Sequence, residues 1–215
     1  MGGGLTKSTE GDLHITKRRV YFNVDEIIVD ASKCNGCGIC VSSCPDDAMS
    51  LEEPLIKDGH LVKKPLVMID ENKCSFCAIC PRACPFDAII YKRDGKVVDP
   101  IEDDDFPNFS MEEKAFEGEL AINDCYACVE ICPCEALKKN DERRCTPDID
   151  MEKCILCGAC VNVCPEGRLT IYRERIKYGD ARSGTWFRAF LNLTDDKIYA
   201  REMLETSIET SKKLL

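Results

Sequence analysis

The sequence predicts an α+β fold in which short β-hairpins and short helices surround metal-binding cysteines, in two tandem domains followed by a helical tail. Two observations support the metal-binding part: 17 of the 215 residues are cysteines, and a cysteine-rich unit recurs four times. Such a cysteine content lies outside ordinary globular composition, and a recurring unit can decide a fold. The third observation is that apolar runs around Asp-Gly turns connect the units, as is typical of hairpins.

Three copies of the unit are intact, and each has the pattern C-x2-C-x2-C-x3-C-P. They are KCNGCGICVSSCPDDAM from residue 33, KCSFCAICPRACPFDAI from residue 73 and KCILCGACVNVCPEGRL from residue 153. The third copy in order, AINDCYACVEICPCEAL (121–137), has Ile122 where its first cysteine is expected. Thiolates at this spacing can wrap one face of a cubane cluster in a tight loop, in which Gly36, Gly38 and Gly158 relieve crowding. The prolines after the fourth cysteines suit the first turn of a short helix: Pro45, Pro85, Pro133 and Pro165.

This cysteine run resembles that of the bacterial-type 2[4Fe-4S] ferredoxin family, and four runs in one chain resemble a tandem polyferredoxin. In two-cluster ferredoxins the fourth cysteine of each run ligates the cluster of the other run. The resemblance therefore implies four clusters in two paired domains. Three ligand sets are complete: Cys34, Cys37, Cys40 and Cys84 for cluster 1, Cys74, Cys77, Cys80 and Cys44 for cluster 2, and Cys154, Cys157, Cys160 and Cys132 for cluster 4.

Cluster 3 lacks one thiolate under the same rule, because only Cys125, Cys128 and Cys164 remain for it. Two cysteines lie outside the pattern. We predict that Cys145 fills the gap in a [4Fe-4S] cluster, with Cys134 as the alternative ligand. A [3Fe-4S] cluster with no fourth thiolate, and a buried thiol that binds no metal, are the other possibilities.

Zinc and disulfides are the main alternatives to iron-sulfur clusters. Zinc sites use pairs of cysteines rather than evenly spaced triplets, and soft thiolate groups without nearby histidine favour iron-sulfur clusters. Most of the cysteines are separated from the next by three residues or fewer, too close for several independent disulfides, and their number is odd. We assign no ligand role to either histidine, His14 or His60.

The chain divides into five predicted segments. Residues 1–16 form a flexible N-terminus, 17–92 the first dicluster domain, 93–116 an acidic linker, 117–172 the second dicluster domain, and 173–215 an extension with a helix that begins near Thr194 or Asp195. We also predict a strand in 18–30, a hairpin at Asp58-Gly59 and a second hairpin at Asp94-Gly95. The apolar stripe of the terminal helix either packs on the body or docks a partner.

The predicted function is electron transfer within a larger redox complex in the cytoplasm. A net charge of −10 argues against nucleic-acid binding, and no apolar run is long enough for direct membrane insertion. No phosphate-binding loop or radical-enzyme cysteine triplet indicates a catalytic site. The segment IIYKRDGKVVDPIEDDDFPNF resembles the polyferredoxin subunit of archaeal formylmethanofuran dehydrogenase, which implies anaerobic methanogenesis and a tungsten or molybdenum partner. A hydrogenase or other oxidoreductase partner, a ferredoxin donor and a zinc-binding adaptor are the alternatives.

Overall fold

The computed structural model describes residues 4–98, 109–118, 125–140, 147–178, 188–189 and 192–193. Its strands and helices, in chain order, are β1 Gly4–Glu10, β2 Leu13–Val20, β3 Asn23–Asp30, α1 Ile39–Ser42, β4 Met49–Leu51, β5 Leu55–Lys57, β6 His60–Lys63, β7 Val67–Ile69, α2 Ile79–Ala83, β8 Ile89–Arg93, β9 Lys96–Val97, β10 Phe109–Gly118, α3 Ala127–Glu130, β11 Leu137–Lys138, β12 Asp148–Ile149, α4 Ala159–Val163 and β13 Leu169–Tyr178. The predicted C-terminal helix lies outside the described residues.

A five-stranded antiparallel sheet, in the order β1-β2-β3-β8-β9, forms one side of the first half. Strand β3 confirms the predicted strand for residues 23–30 and buries Ile27, Ile28 and Val29. Residues 18–20 instead end β2, and a turn at Tyr21 and Phe22 separates them from β3. The prediction of a flexible N-terminus was wrong for residues 4–16, which belong to β1 and β2. Gly11, with φ of 61°, allows the tight turn between these strands, and β2 gains its backbone partners from the edge of β3.

Both Asp-Gly hairpins of the first half are confirmed. Asp58 and Gly59 have φ of 51° and 80° between β5 and β6, and Asp94 and Gly95 have φ of 51° and 77° between β8 and β9. Two consecutive residues with positive φ define the type I′ turn, whose twist matches that of the paired strands.

The short helices precede the Cys-Pro pairs instead of following them, which corrects the prediction for the four prolines. Each helix begins within a residue of the third cysteine of its run and ends before the fourth. Proline cannot continue a helix because its ring clashes with the preceding turn. The prolines therefore lie in turns that lead from each fourth cysteine toward the next strand.

Strands β10 and β13 pair antiparallel in the second half. β10 begins at Phe109, within the residues predicted as an acidic linker, and β13 continues to Tyr178, within the predicted C-terminal extension. The predicted boundaries came from local net charge, which does not reveal the backbone hydrogen bonds that pair β10 with β13. Linker residues 99–108 lie outside the described ranges.

The two halves share a hydrophobic core. Ile39 and Ile79 of the first half are buried in the same cluster as Ala127, Ala159 and Val163 of the second. Ala189 and Leu193, from the C-terminal extension, join this cluster. Within the described ranges, no helix is both long and apolar enough to cross a membrane.

Candidate metal centres

Left-handed backbone conformations shape the cysteine loops. In each intact run, the two residues that flank the second cysteine have positive φ. The pairs are Gly36 and Gly38 (62° and 77°), Phe76 and Ala78 (both 60°), and Leu156 and Gly158 (54° and 95°). A left-handed conformation costs a residue with a side chain about 1–2 kcal/mol. Burial of Phe76 and Leu156, which are 3% and 0% exposed, offsets that cost. Sequence reasoning found the glycines but missed these non-glycine positions.

The third run departs from this backbone pattern. Tyr126 follows Cys125, at the position that Gly38, Ala78 and Gly158 occupy in the intact runs, and has φ of −117° rather than a left-handed value. Ile122, at the position of the missing cysteine, lies outside the described residues. The irregularity of this run therefore extends beyond its missing thiolate to the backbone between Cys125 and Cys128.

The four thiols predicted for cluster 2 line one cavity. This cavity is open to solvent and lies among residues that include Cys44, Cys74, Cys77 and Cys80. Cys44 belongs to the first run, whereas the other three belong to the second. A fourth cysteine thus reaches the cysteine loop of the neighbouring run, as the crossing rule of two-cluster ferredoxins requires.

The thiols predicted for cluster 1 also lie near one another. Burial raises the pKa of Cys40 well above its usual value, and the nearby thiols of Cys37, Cys84 and Cys34 raise it further. Cys84 comes from the second run, so the two runs of the first half exchange their fourth cysteines. Burial raises the pKa of Cys80 as well, with Cys40 the first of the thiols that add to it. The two groups of thiols are therefore adjacent.

The thiols predicted for cluster 4 form a corresponding group in the second half. Burial raises the pKa of Cys160 to about 12, with further contributions from Cys157, Cys128, Cys154 and Cys132. Cys132 is the fourth cysteine of the third run, so the second half repeats the crossing of a fourth cysteine to the neighbouring run. Because Cys128 is one of the thiols near Cys160, the thiols predicted for cluster 3 lie next to those predicted for cluster 4.

Cys134 lies beside the cluster 4 thiols. Its Sγ is 3.8 Å from Sγ of Cys132, and its thiol adds to the burial that raises the pKa of Cys157. The pKa of Cys134 is also above its usual value, because burial raises it more than the hydrogen bond from the Ile155 N–H lowers it. The sulfur of Cys134 therefore lies where Cys132 of the third run approaches the cysteines of the fourth run.

The group predicted for cluster 3 is the least complete in the described part of the chain. Burial raises the pKa of Cys128 to about 11, with Cys164 and Cys125 adding to the rise. A shallow cavity open to solvent is lined by Cys125, Tyr126, Cys128, Val129, Lys139, Asn140 and Pro147. Cys145 lies outside the described residues, between Asn140 and Pro147.

Backbone amides donate hydrogen bonds to three of the crossing cysteines. The N–H groups of Ala48, Ala88 and Ala136 lie 3.3, 3.4 and 3.3 Å from Sγ of Cys44, Cys84 and Cys132. Each alanine follows a residue with positive φ, namely Asp47, Asp87 and Glu135, and this turn directs its N–H back to the sulfur. Hydrogen bonds to cluster sulfurs are a determinant of reduction potential. Sequence reasoning missed these donors, although the recurring Cys-Pro-x-acidic-Ala pattern is a signal for them.

The donor groups fit iron-sulfur clusters. Each complete set consists of four thiols, which are the soft ligands that these clusters use. A buried thiolate needs a compensating positive charge, and cluster iron supplies it while displacing the thiol proton. His60 is engaged elsewhere, since its Nδ1 lies 2.6 Å from Oε1 of Glu130.

Comparisons with known proteins agree with this chemistry. Residues 33–88 match the 4Fe-4S dicluster domain and residues 146–169 match the 4Fe-4S binding domain. A stretch of 32 residues is 53% identical to a probable ferredoxin of Thermoplasma acidophilum, and it covers 15% of this chain and 46% of that ferredoxin. The chain therefore spans about half the length of this curated relative.

A solved structure has a similar fold. A chain of the formate dehydrogenase - heterodisulfide reductase - formylmethanofuran dehydrogenase complex from Methanospirillum hungatei superposes with a TM-score of 0.70 and 20% identity. The match covers 88% of this chain and 91% of that chain, and at this identity it concerns the fold alone. From the two family matches, we conclude that the chain contains ferredoxin-type 4Fe-4S domains at residues 33–88 and 146–169.

Proposed function

We propose that the chain is a subunit of a larger redox complex and conducts electrons along four iron-sulfur clusters. The observation that carries this proposal is the cavity shared by Cys44 of the first run and three cysteines of the second. That exchange joins two clusters into one conducting pair. The thiol groups of the third and fourth runs have the same arrangement, which supports a second pair.

The proposed ligand sets follow the crossing rule. They are Cys34, Cys37, Cys40 and Cys84; Cys74, Cys77, Cys80 and Cys44; Cys125, Cys128, Cys164 and Cys145; and Cys154, Cys157, Cys160 and Cys132. Cys145 is preferred for cluster 3 because Pro147, two residues later, lines the cavity beside Cys125 and Cys128. Two residues span at most about 7 Å of extended chain. Cys134 is less suited, since it lies beside Cys132 of another set.

The protein groups around each set determine what a bound cluster does. The cluster supplies reversible one-electron chemistry when it is bound. The amides of Ala48, Ala88 and Ala136 stabilise the negative charge on their sulfur ligands. Burial of the thiols keeps water from the sulfur atoms, and both effects set the potential at which an electron is held.

A formylmethanofuran dehydrogenase complex is the proposed setting. The support is the likeness of fold to a chain of a complex that contains this enzyme, together with the sequence of the segment around Asp94-Gly95. The chain would then pass low-potential electrons in the cytoplasm of an anaerobic methanogen to a tungsten or molybdenum subunit. A hydrogenase partner would use the same four-cluster path.

Metal analysis of anaerobically prepared protein tests the cluster count. We expect about 16 irons per chain, or about 15 with a three-iron third cluster, and matching sulfide. Eight irons or fewer would contradict the four-cluster proposal. Zinc without a visible absorption spectrum would instead support the adaptor alternative. Purification from the native organism, followed by identification of the co-purifying subunits, tests the proposed complex.

A further inference from the structure

A side chain of the fourth run contacts the cysteine loop of the first. Asn162 donates a hydrogen bond from Nδ2 to the carbonyl oxygen of Gly36 over 2.9 Å. A Cβ atom added at Gly38 would lie 2.8 Å from the same Nδ2, so this close approach depends on glycine at that position. Gly36 and Gly38 flank Cys37, a proposed ligand of cluster 1. The contact therefore joins a ligand loop of one half to the other half.

The third run makes a second contact between the halves, from the equivalent helix position. Asn162 and Glu130 each lie two residues after the third cysteine of their runs. The carboxylate of Glu130 accepts hydrogen bonds from the N–H of Leu61 over 2.7 Å and from His60 over 2.6 Å. In addition, the N–H of Tyr126 donates to the carbonyl of Gly59 over 2.7 Å. Of these two junctions, the one at Asn162 lies next to cysteines of both halves.

Packing brings thiols of the two halves together at Asn162. The side chain of Cys37 packs against a core cluster that contains Ile39, Cys157, Ala159 and Cys160. Cys157 is a proposed ligand of cluster 4.

We propose that Asn162 and the Gly36 to Gly38 loop form the junction through which electrons pass between the two halves of the chain. This inference rests on the proposed function. It makes the order of clusters along the path 2, 1, 4, 3 rather than their order in the sequence. Clusters 2 and 3 then lie at the two ends, so the irregular third set exchanges electrons with an outside partner.

The transfer at this junction involves one electron and no atom. Cys34, Cys37, Cys40 and Cys84 would hold one cluster and Cys154, Cys157, Cys160 and Cys132 the other, so that one would lose the electron that the other gains. No bond forms or breaks and no proton moves. Asn162 acts as a positioning residue, because the rate of electron transfer falls steeply with the separation of the two centres.

The Asn162→Ala variant of the whole chain, with clusters assembled anaerobically, tests the junction. After a pulse of reductant, freeze-quench electron paramagnetic resonance follows how electrons redistribute between the halves. We expect a several-fold slower redistribution and weaker magnetic coupling between clusters 1 and 4, at unchanged iron content. Ser42→Ala is the matched control, since Ser42 is exposed at the equivalent position of the first run, and it should leave both measurements unchanged.

A double-mutant cycle with Gly38→Ala tests the contact itself. Gly38→Ala should slow redistribution in the parent but add little in the Asn162→Ala background, because the two residues act through one contact. Redistribution at the parental rate in Asn162→Ala, or equal slowing by Ser42→Ala, would overturn the junction. So would loss of iron from both Asn162→Ala and Asn162→Ser, since Asn162 would then be needed to hold its own cluster.

The two proposals fail in different ways. A parent chain that binds no iron-sulfur clusters contradicts the proposed function. If the parent holds four clusters, pulsed resonance can measure the distances between clusters of different halves. A shortest distance between any pair other than clusters 1 and 4 would contradict only the junction. Cluster 1 is identified in that measurement as the signal lost or altered in Cys84→Ser.

Discussion

At the scale of single residues, the conformation of each cysteine loop depends on positions that have no metal-binding group. Gly36 and Gly167 both have left-handed backbones, with φ of 62° and 61°. Their surroundings differ. A Cβ at Gly167 would meet nothing within 4 Å, whereas a Cβ at Gly36 would lie 2.7 Å from both Cβ and O of Pro65. Backbone preference and close packing can therefore be separated by comparing these two glycines.

We expect Gly36→Ala to destabilise the cluster-loaded chain more than Gly167→Ala. The backbone term costs each variant about 1–2 kcal/mol. Gly36→Ala carries a further cost of about 1–3 kcal/mol from overpacking against Pro65, together with loss of cluster 1. Denaturant unfolding and iron analysis of both variants measure these effects. Equal destabilisation would show that Pro65 moves away without cost.

At the scale of strands and helices, the sequence predicted some elements well and others not. The Asp-Gly hairpins followed from turn chemistry that is purely local. The N-terminal strands were missed because their residues are polar, and β1 is exposed along its whole length, so that backbone pairing with a neighbour defines it. The helices were placed on the wrong side of the prolines, since the left-handed residue after each intact second cysteine, at which the helix begins, is set by loop packing. The crossing of fourth cysteines was predicted only through the family resemblance.

A buried charge network connects three strands of the first sheet. Asp25 on β3 accepts hydrogen bonds from Arg18 on β2 over 2.8 Å, and from Tyr91 and Arg93 on β8 over 2.7 and 3.0 Å. Burial alone would raise the pKa of Asp25, but hydrogen bonds from Arg18, Tyr91 and Arg93 more than offset it, so the pKa lies below its usual value of 3.8. Glu26, the next residue, forms a surface pair with Lys17 on β2.

We expect Asp25→Ala to cost about 1–3 kcal/mol in the free energy of unfolding, because it leaves the buried Tyr91 hydroxyl and the partly buried Arg18 guanidinium without their acceptor. Glu26→Ala should cost about 0–1 kcal/mol, since exposed ion pairs contribute little. Denaturant unfolding at neutral pH checks both values. A lowered pKa means that the contribution of Asp25 is complete above pH 3.8 and is lost as pH falls through the lower folded value. Similar costs for the two variants would contradict the assigned roles.

At the scale of the whole molecule, crossing cysteines and a shared core connect what the sequence presents as separate runs. Each fourth cysteine belongs to its own run by sequence and to the neighbouring run by position. A substitution of a fourth cysteine should therefore affect the cluster of the neighbouring run rather than the cluster of its own run. The same reasoning explains why the domain boundaries predicted from charge did not anticipate the core that contains Ile39 and Val163 together.

We expect Cys84→Ser to damage cluster 1, held by Cys34, Cys37 and Cys40, more than cluster 2, held by the other cysteines of its own run. The reason is that the pKa of Cys40, raised by burial, also responds to the thiol of Cys84. Resonance spectra of the reduced variant distinguish the two clusters. Loss confined to the cluster held by Cys74, Cys77 and Cys80 would mean that each run closes on itself.

The third cluster is expected to differ from the others in spectrum or potential, because Ile122 cannot supply a thiolate and Tyr126 gives its loop a different backbone. Ligand identity and surroundings both determine cluster potential. We expect Cys145→Ser to convert this cluster to a three-iron form, visible in oxidised samples kept free of oxygen. Cys134→Ser is the matched control: its sulfur lies 3.8 Å from that of Cys132, so it should leave the third cluster intact. A three-iron signal from Cys134→Ser but not from Cys145→Ser would reverse the two roles, and the same signal in the parent would show that the fourth position has no thiolate.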